Sequence, residues 1–213
     1  MIPKRFSSLL ITLVILFSMS ISLHAGSSPT IMGEHTKIEG ETFKFDGKTV
    51  EVIEFMSFYC HTCYDFERAI PVIKGNFPKK IKWRTIPVFW SDHGSPKPGE
   101  AYFIADDAGK GEEMKKALFR AQMVEKKNIG DLSVLIEIAG KIGLGPDFEE
   151  KLRSGAKAHV ALRAVDMAGT YGVGETPTLI IAGNIKTDPH LMDHDLEKFK
   201  NNVLSIIGSI LKK

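Results

Sequence analysis

The sequence predicts an α/β fold in which a mixed sheet is interrupted by an all-helical insert. Three observations point there. Residues 50–55 and 81–89 read as strands separated by a helical stretch, which makes a βαβ unit. Residues 90–165 show helical spacing throughout, punctuated by glycine. The chain then returns to an apolar strand at 178–182 and closes on an amphipathic helix.

Taken in order, residues 27–40 carry Ser, Pro, Gly and mixed charge without a period and read as a loose segment. Thr42-Phe43-Lys44-Phe45 alternates polar and apolar residues, and Asp46-Gly47-Lys48 supplies a turn, so a short strand is expected at 42–45. Residues 50–55 are apolar on both faces apart from Glu51 and Glu54, the pattern of a central strand. From Cys63 the period becomes helical through Phe66, Ala69, Ile70 and Ile73, with Pro71 expected to kink or end the first segment. The insert offers helices at 99–108, 112–126, 131–142 and 147–171, with Asp131 and Asp147 as N-caps and Pro146 in a first turn. Met114, Leu118, Met123 and Val124 pack as core rather than form a binding face on this periodicity. Gly183-Asn184 turns the 178–182 strand into a short edge strand at 185–187, and a helix follows over 195–211.

Met1 to Arg5 carries two positive charges and no acid, residues 6–23 are apolar, and Ala25-Gly26-Ser27 is small, the order of a secretory signal peptide. An uncleaved anchor is the alternative. Either places the folded part outside the cytoplasm, in the periplasm of an exporting cell, where disulfides persist. Removing the first 25 of 213 residues leaves 188, enough for one domain with a substantial core. Lys4 and Arg5 leave with that segment, so 26 basic residues face 26 acidic ones, and nothing recommends nucleic acid or an acidic membrane as a partner. The resulting division is a signal peptide (1–25), an N-terminal segment (26–40), a sheet domain in two pieces (41–89 and 166–213) and a helical insert (90–165).

Cys60 and Cys63 are the only cysteines. They stand two residues apart at a strand-to-helix junction, where unpaired backbone N–H groups favour a sulfur anion. Cys60 at the helix start is then the attacking thiol and Cys63, one turn in, the buried resolving thiol. A structural disulfide over so short a loop would remove little chain entropy. A structural zinc site needs four ligands and the sequence holds no second cysteine pair, so no metal or cofactor is expected. His61 can add positive charge beside Cys60. Glu54 falls in an apolar strand; if it lies under the cysteines it can pass protons to and from Cys63, and otherwise it faces solvent. Glu67 reads as a solvated helix residue. Thr176-Pro177 precedes a strand, and its peptide bond is either cis or an ordinary trans turn. His190 and His194, among Asp188, Asp193 and Asp195, read as turn and helix-cap residues.

Over residues 40–213 the chain resembles the DsbA-type thiol:disulfide oxidoreductases, which carry a thioredoxin-like fold with an inserted all-helical subdomain. Glu54-Phe55-Met56-Ser57-Phe58-Tyr59-Cys60-His61-Thr62-Cys63-Tyr64 is similar to the family's run of acid, aromatics and Cys-x-x-Cys-Tyr, and Thr176-Pro177 and Met192-Asp193 match as well. The resemblance implies Cys60 as attacking sulfur, Cys63 as resolving sulfur, Glu54 as buried acid, and a cis Thr176–Pro177 bond that faces the disulfide and pairs with the substrate backbone, Thr62 lying alongside. It also implies reduced, unfolded exported proteins as substrates, a membrane quinone-linked reoxidase, and a monomer. Three features depart from the family pattern: His61-Thr62 replaces Pro-His, the residue before proline is threonine, and Thr85 stands where a lysine usually pairs with the buried acid. The readings carried forward are a periplasmic oxidase, an isomerase or reductase on the same site (a choice Thr176 favours), and a metal-binding or chaperone module.

Overall fold

The computed structural model describes residues 30–92 and 94–212. The signal peptide expected at 1–25 lies outside the described residues. The central strand is β2 (Val50–Met56), flanked by a parallel strand at Ile81–Pro87 (β3) and an antiparallel one at Thr178–Ile181 (β4). Ile185–Thr187 (β5) pairs antiparallel with β4, and Thr36–Lys37 (β1) pairs antiparallel with β5. The order across the sheet is β1-β5-β4-β2-β3.

Two expectations about the sheet edge are corrected. Residues 42–45 are not a strand, although Lys44 N–H donates to Ala182 O at 2.8 Å. β4 ends at Ile181, and Ala182 and Gly183 take positive φ (48° and 86°) to turn into β5, so the neighbouring chain meets no continuing ladder there. β5 is consequently an inner strand, and the edge belongs to the two-residue β1. The turn at Asp46 forms as read, its Oδ1 accepting from Lys48 and Thr49 N–H at 2.7 and 2.8 Å.

The helix after the cysteines is divided into α1 (His61–Phe66) and α2 (Ala69–Asn76). Pro71 has no N–H for the Glu67 carbonyl and its ring occupies that space, so the break falls four residues ahead of the proline. The insert runs α3 (Lys97–Asp107), α4 (Gly111–Phe119) continued by a π-helical segment (Arg120–Val124), α5 (Leu132–Lys141), α6 (Pro146–Ser154) and α7 (Ala158–Thr170). The single helix expected at 147–171 is thus two. Gly155 adopts φ 72°, and Gly155 and Ala156 N–H cap the Leu152 and Lys151 carbonyls, a Schellman ending that only a residue tolerant of left-handed backbone makes cheaply. Asp131 stands at the N-cap of α5 as read, though its carboxylate accepts from the Asn128 side chain instead of the helix amides, whereas Asp147 lies inside α6 behind its N-cap Gly145. Met114, Leu118 and Met123 are buried, whereas Val124 is 59% exposed.

The faces of β2 divide the core. Val50 and Val52 pack with Phe66, Ile70 and Ile73 and with Phe199, Val203 and Ile206 of α8 (Leu196–Leu211). Ile53 and Phe55 on the opposite face meet Ala164 and Ala168 of α7. Met56 and Phe58, at the end of the strand, join Cys63 to Met114, Leu118 and Phe119 of the insert. The strand-to-helix junction is therefore gripped between sheet and insert.

The Asp195 carboxylate accepts from Glu197 and Lys198 N–H, both at 2.9 Å, and caps α8. Replacing it with alanine leaves those donors to solvent and should cost about 1 kcal/mol. A thermal melt of Asp195→Ala should show the midpoint falling by roughly 2–4 °C, and an unchanged midpoint would remove the cap from the account.

Candidate active site

A tight turn carries the chain from β2 into α1: Cys60 N–H donates to Ser57 O at 3.1 Å, Tyr59 N–H to Ser57 Oγ at 3.3 Å, and Tyr64 N–H to Cys60 O at 3.2 Å. Cys60 is the N-cap residue of α1, half-buried, with extended backbone (φ −96°, ψ 118°). Its sulfur therefore lies where the first α1 amides have no helical partner. Cys63, one turn on, is 1% exposed.

The two thiols have opposite acidities. Cys60 is held down to about 5, first by a hydrogen bond from the Cys63 thiol and then by the Thr176 hydroxyl and the backbone N–H groups of Cys63 and Thr62, all of which outweigh partial burial. Cys63 is pushed well above the usual thiol range by its burial, by its hydrogen bond to Cys60 and by the Cys60 charge. One sulfur ionises readily and the other keeps its proton, the division of labour that disulfide exchange needs.

Opposite them, the Thr176–Pro177 peptide bond is cis, and in the thiol form Cys60 Sγ donates to Thr176 O at 3.2 Å. Thr178 Oγ1 donates to Glu175 O at 2.8 Å and ties this loop to the start of β4. Pro177 is buried, while Thr62 and Thr176 are partly open. A shallow cavity of about 310 Å³ beside Thr176 is lined by Trp90, Gly174 and Glu175. The structure thus brings Cys60, Cys63, Thr62, Thr176 and Pro177 together. His61 is exposed at the first position of α1, and the groups that lower Cys60 are the ones named above.

Glu54 is fully buried, on the β2 face that carries Val52 and Met56, in register between Thr85 of β3 and Leu179 of β4. Val52 packs against Phe66 and Met56 against Cys63, so the Glu54 carboxylate lies beneath α1. The solvated alternative for Glu54 is set aside. Two β3 side chains hold Oε2: Thr85 Oγ1 donates at 2.9 Å and Trp83 Nε1 at 3.0 Å.

The sequence reading missed a cation beside this acid. Lys115 of α4 is 1% exposed, and its Nζ lies 3.0 Å from Glu67 Oε1 and 3.5 Å from Glu112 Oε1. Burial works to lower its pKa, but the charges of Glu54, Glu67 and Glu112 outweigh that and raise it. Glu67 is consequently not the solvated residue expected. Its side chain is 17% exposed, and burial, with Glu54 nearby, pushes it up to about 7 against the pull of Lys115. A signal existed: Lys115 occupies the same stripe of α4 as Gly111, Met114, Leu118 and Phe119, all of them buried.

Thiolate absorbance at 240 nm, followed against pH on the reduced protein, should rise with a midpoint near 5 for Cys60. Thr176→Val removes one of the groups that lower it and should move the midpoint upward. A wild-type midpoint near the ordinary thiol value of about 8.5 would contradict this geometry.

Comparison with known proteins bears on the fold and the family. The thiol:disulfide interchange protein DsbA of Haemophilus influenzae is 25% identical over 167 residues, covering 76% of this chain and 80% of that one. Among solved structures, a variant of Pseudomonas aeruginosa DsbA superposes with a TM-score of 0.72 at 19% identity, over 87% of this chain and all of that one. SrgA of Salmonella enterica serovar Typhimurium does so with a TM-score of 0.67 at 21% identity, over 84% of this chain and 99% of that one. The DSBA-like thioredoxin domain family matches residues 51–202, from the second residue of β2 into the middle of α8, and the chain belongs to that family.

Proposed function

We propose that this protein is a thiol–disulfide oxidoreductase working in the oxidising direction, donating its Cys60–Cys63 disulfide to reduced, exported proteins in the periplasm. The observation that carries the direction is the contrast between the two sulfurs. A Cys60 thiolate with a pKa of about 5 stabilises the reduced enzyme throughout the neutral range, and so makes the disulfide the less stable, more readily donated form. The signal-peptide pattern of residues 1–25 supports export.

The exchange proceeds in two displacements. A substrate thiolate attacks Cys60 Sγ, the Cys60–Cys63 bond breaks, and its electron pair passes to Cys63 Sγ, which takes up a proton. The substrate's second thiolate then attacks its own sulfur in the mixed disulfide and expels Cys60 as a thiolate, a good leaving group because its pKa is low. The substrate has lost two electrons and the enzyme holds them as a dithiol. Thr176, with Pro177 and Thr62 beside it, meets the substrate main chain next to Cys60, and Glu54 is the acid that serves Cys63. A membrane quinone-linked partner restores the disulfide, and the protein acts as a monomer.

Isomerase or reductase activity on the same site is the second reading, favoured by one observation: the residue against Cys60 is Thr176. Reduced, unfolded ribonuclease distinguishes the two readings. Wild-type protein in its disulfide form should accelerate oxidation of that substrate, and Cys60→Ser should abolish the effect. With scrambled ribonuclease, the Cys60 thiolate of Cys63→Ser should attack a substrate disulfide, expel one substrate thiolate and accumulate as a covalent adduct that no Cys63 can resolve. Oxidation retained by Cys60→Ser would sink the assignment, and faster recovery from scrambled than from reduced ribonuclease would favour isomerase chemistry.

A further inference from the structure

Lys115 is a fully buried lysine contributed by the insert to the underside of a site otherwise built by the sheet domain. The groups around it come from every element packed there. β2 supplies Glu54, the residue after α1 supplies Glu67, and α4 itself supplies Glu112, whose side chain is 55% exposed. α3 supplies Tyr102, whose hydroxyl hydrogen-bonds Thr85 and is held protonated by burial and by the charges of Asp106, Glu112 and Glu54. From β3, Trp83 and Thr85 donate only to Glu54 Oε2, leaving Oε1 buried without a hydrogen-bond partner among the described residues. A carboxylate with one bare oxygen in an apolar layer needs a nearby positive charge or a proton.

The cluster also has a way out. Glu67 borders a cavity of about 480 Å³ between α1 and α4, walled by Tyr64 and Phe119, with Arg68, Lys116 and Arg120 around it. Its backbone N–H donates to Cys63 O at 3.2 Å, which places the residue one turn beyond the resolving sulfur. Each round of exchange creates or removes one proton on Cys63, and that sulfur is closed to water.

We propose that Lys115 is a positioning residue for disulfide exchange, holding Glu54 and Glu67 together beneath α1 as one proton-exchanging cluster that opens to solvent past Glu67 and Glu112 and serves the Cys63 sulfur. When the substrate thiolate attacks Cys60 and the S–S electron pair arrives on Cys63, the cluster gives up a proton to that sulfur and regains one from solvent through the cavity. In reoxidation the same path runs in reverse. The affinity of Glu67 for its proton, at about 7, suits a group that must both give and take it near neutrality. Lys115 touches neither sulfur nor substrate; it acts through the two acids.

This inference rests on the exchange activity proposed above, and one experiment separates the two. The rate at which dithiothreitol reduces the Cys60–Cys63 disulfide is followed by stopped flow from pH 5 to 9 and divided by the dithiothreitol thiolate fraction. Failure of the wild-type protein to react would overturn the activity itself. Given that activity, loss of the cation in Lys115→Met makes the acids keep their proton to higher pH, so the profile should move up by roughly one unit or more. Lys115→Arg, which keeps the charge, should stay near wild type. Glu112→Gln removes a negative charge at the exposed edge and should move the profile the other way, by about a few tenths of a unit because solvent screens it. Opposite shifts are something a purely structural role would not produce. A Lys115→Met profile that superposes on wild type, or shifts of the same sign in Lys115→Met and Glu112→Gln, would overturn the inference. If Lys115→Met does not fold, Glu112→Gln decides alone: a downward shift supports the cluster and no shift rejects it.

Discussion

The hydrogen bond between the Cys63 thiol and the Cys60 sulfur is the interaction on which the rest of the molecule depends, because it asks two like groups three residues apart to behave as opposites. One helical turn separates them, but their surroundings differ completely. Cys60 stands at the cap of α1 with two backbone N–H groups and the Thr176 hydroxyl turned toward it. Cys63 is sealed among Met56, Phe58 and the insert residues Met114, Leu118 and Phe119. Dipoles stabilise a charge on the first sulfur, and apolar packing forbids one on the second. The sign of the linkage follows. The reduced enzyme gains stability relative to the disulfide form at pH values above about 5, where folded Cys60 ionises while an unperturbed thiol does not, and it loses that gain as pH falls through 5.

That contrast constrains what can lie beneath the helix. If Cys63 must stay dry, its proton cannot come directly from bulk water, and a titratable group has to be placed under α1 at the cost of burying it. The strand that leads to the cysteines provides Glu54, and β3 holds one of its oxygens with two neutral donors, Trp83 and Thr85. Neutral donors orient a carboxylate but do not cancel its charge. The remaining compensation comes from Lys115, across the boundary between sheet domain and insert.

The parts of this arrangement that the sequence made legible are those governed by local rules. A strand that ends in aromatics, two cysteines at the spacing of a helical turn, and helix formers after them define the β2–α1 junction without reference to anything distant. The break before α2 follows from Pro71 by the same kind of rule. What stayed hidden is non-local. β1 is two residues, Thr36 and Lys37, with no pattern of its own, and it exists because β5 offers a free edge. Gly155 ends α6 by its φ, which composition alone does not announce. Glu67 reads as solvated on its own helix, because α1 says nothing of the α4 lysine that will cover it. Thr85 marks the place of the lysine it replaces, yet the compensating lysine lies 30 residues further on, in an element whose helical period shows which stripe is buried but not which acids it will meet.

Where the counter-charge comes from has a mechanical consequence. A lysine on β3 would be fixed to Glu54 by the parallel ladder that already sets Thr85 opposite it, and would stay there as long as the sheet does. A lysine on α4 is held instead by the packing of Met114, Leu118 and Phe119 against Phe58 and Cys63. The same apolar contacts therefore do two jobs. They exclude water from the resolving sulfur, and they deliver the ammonium that lets the acids below it share protons. Loosening α4 would wet Cys63 and withdraw Lys115 together, so the acidity of the buried sulfur and the charge balance of the cluster that serves it cannot be changed independently. The insert, by this argument, is part of the redox machinery of the fold as well as a cover over it.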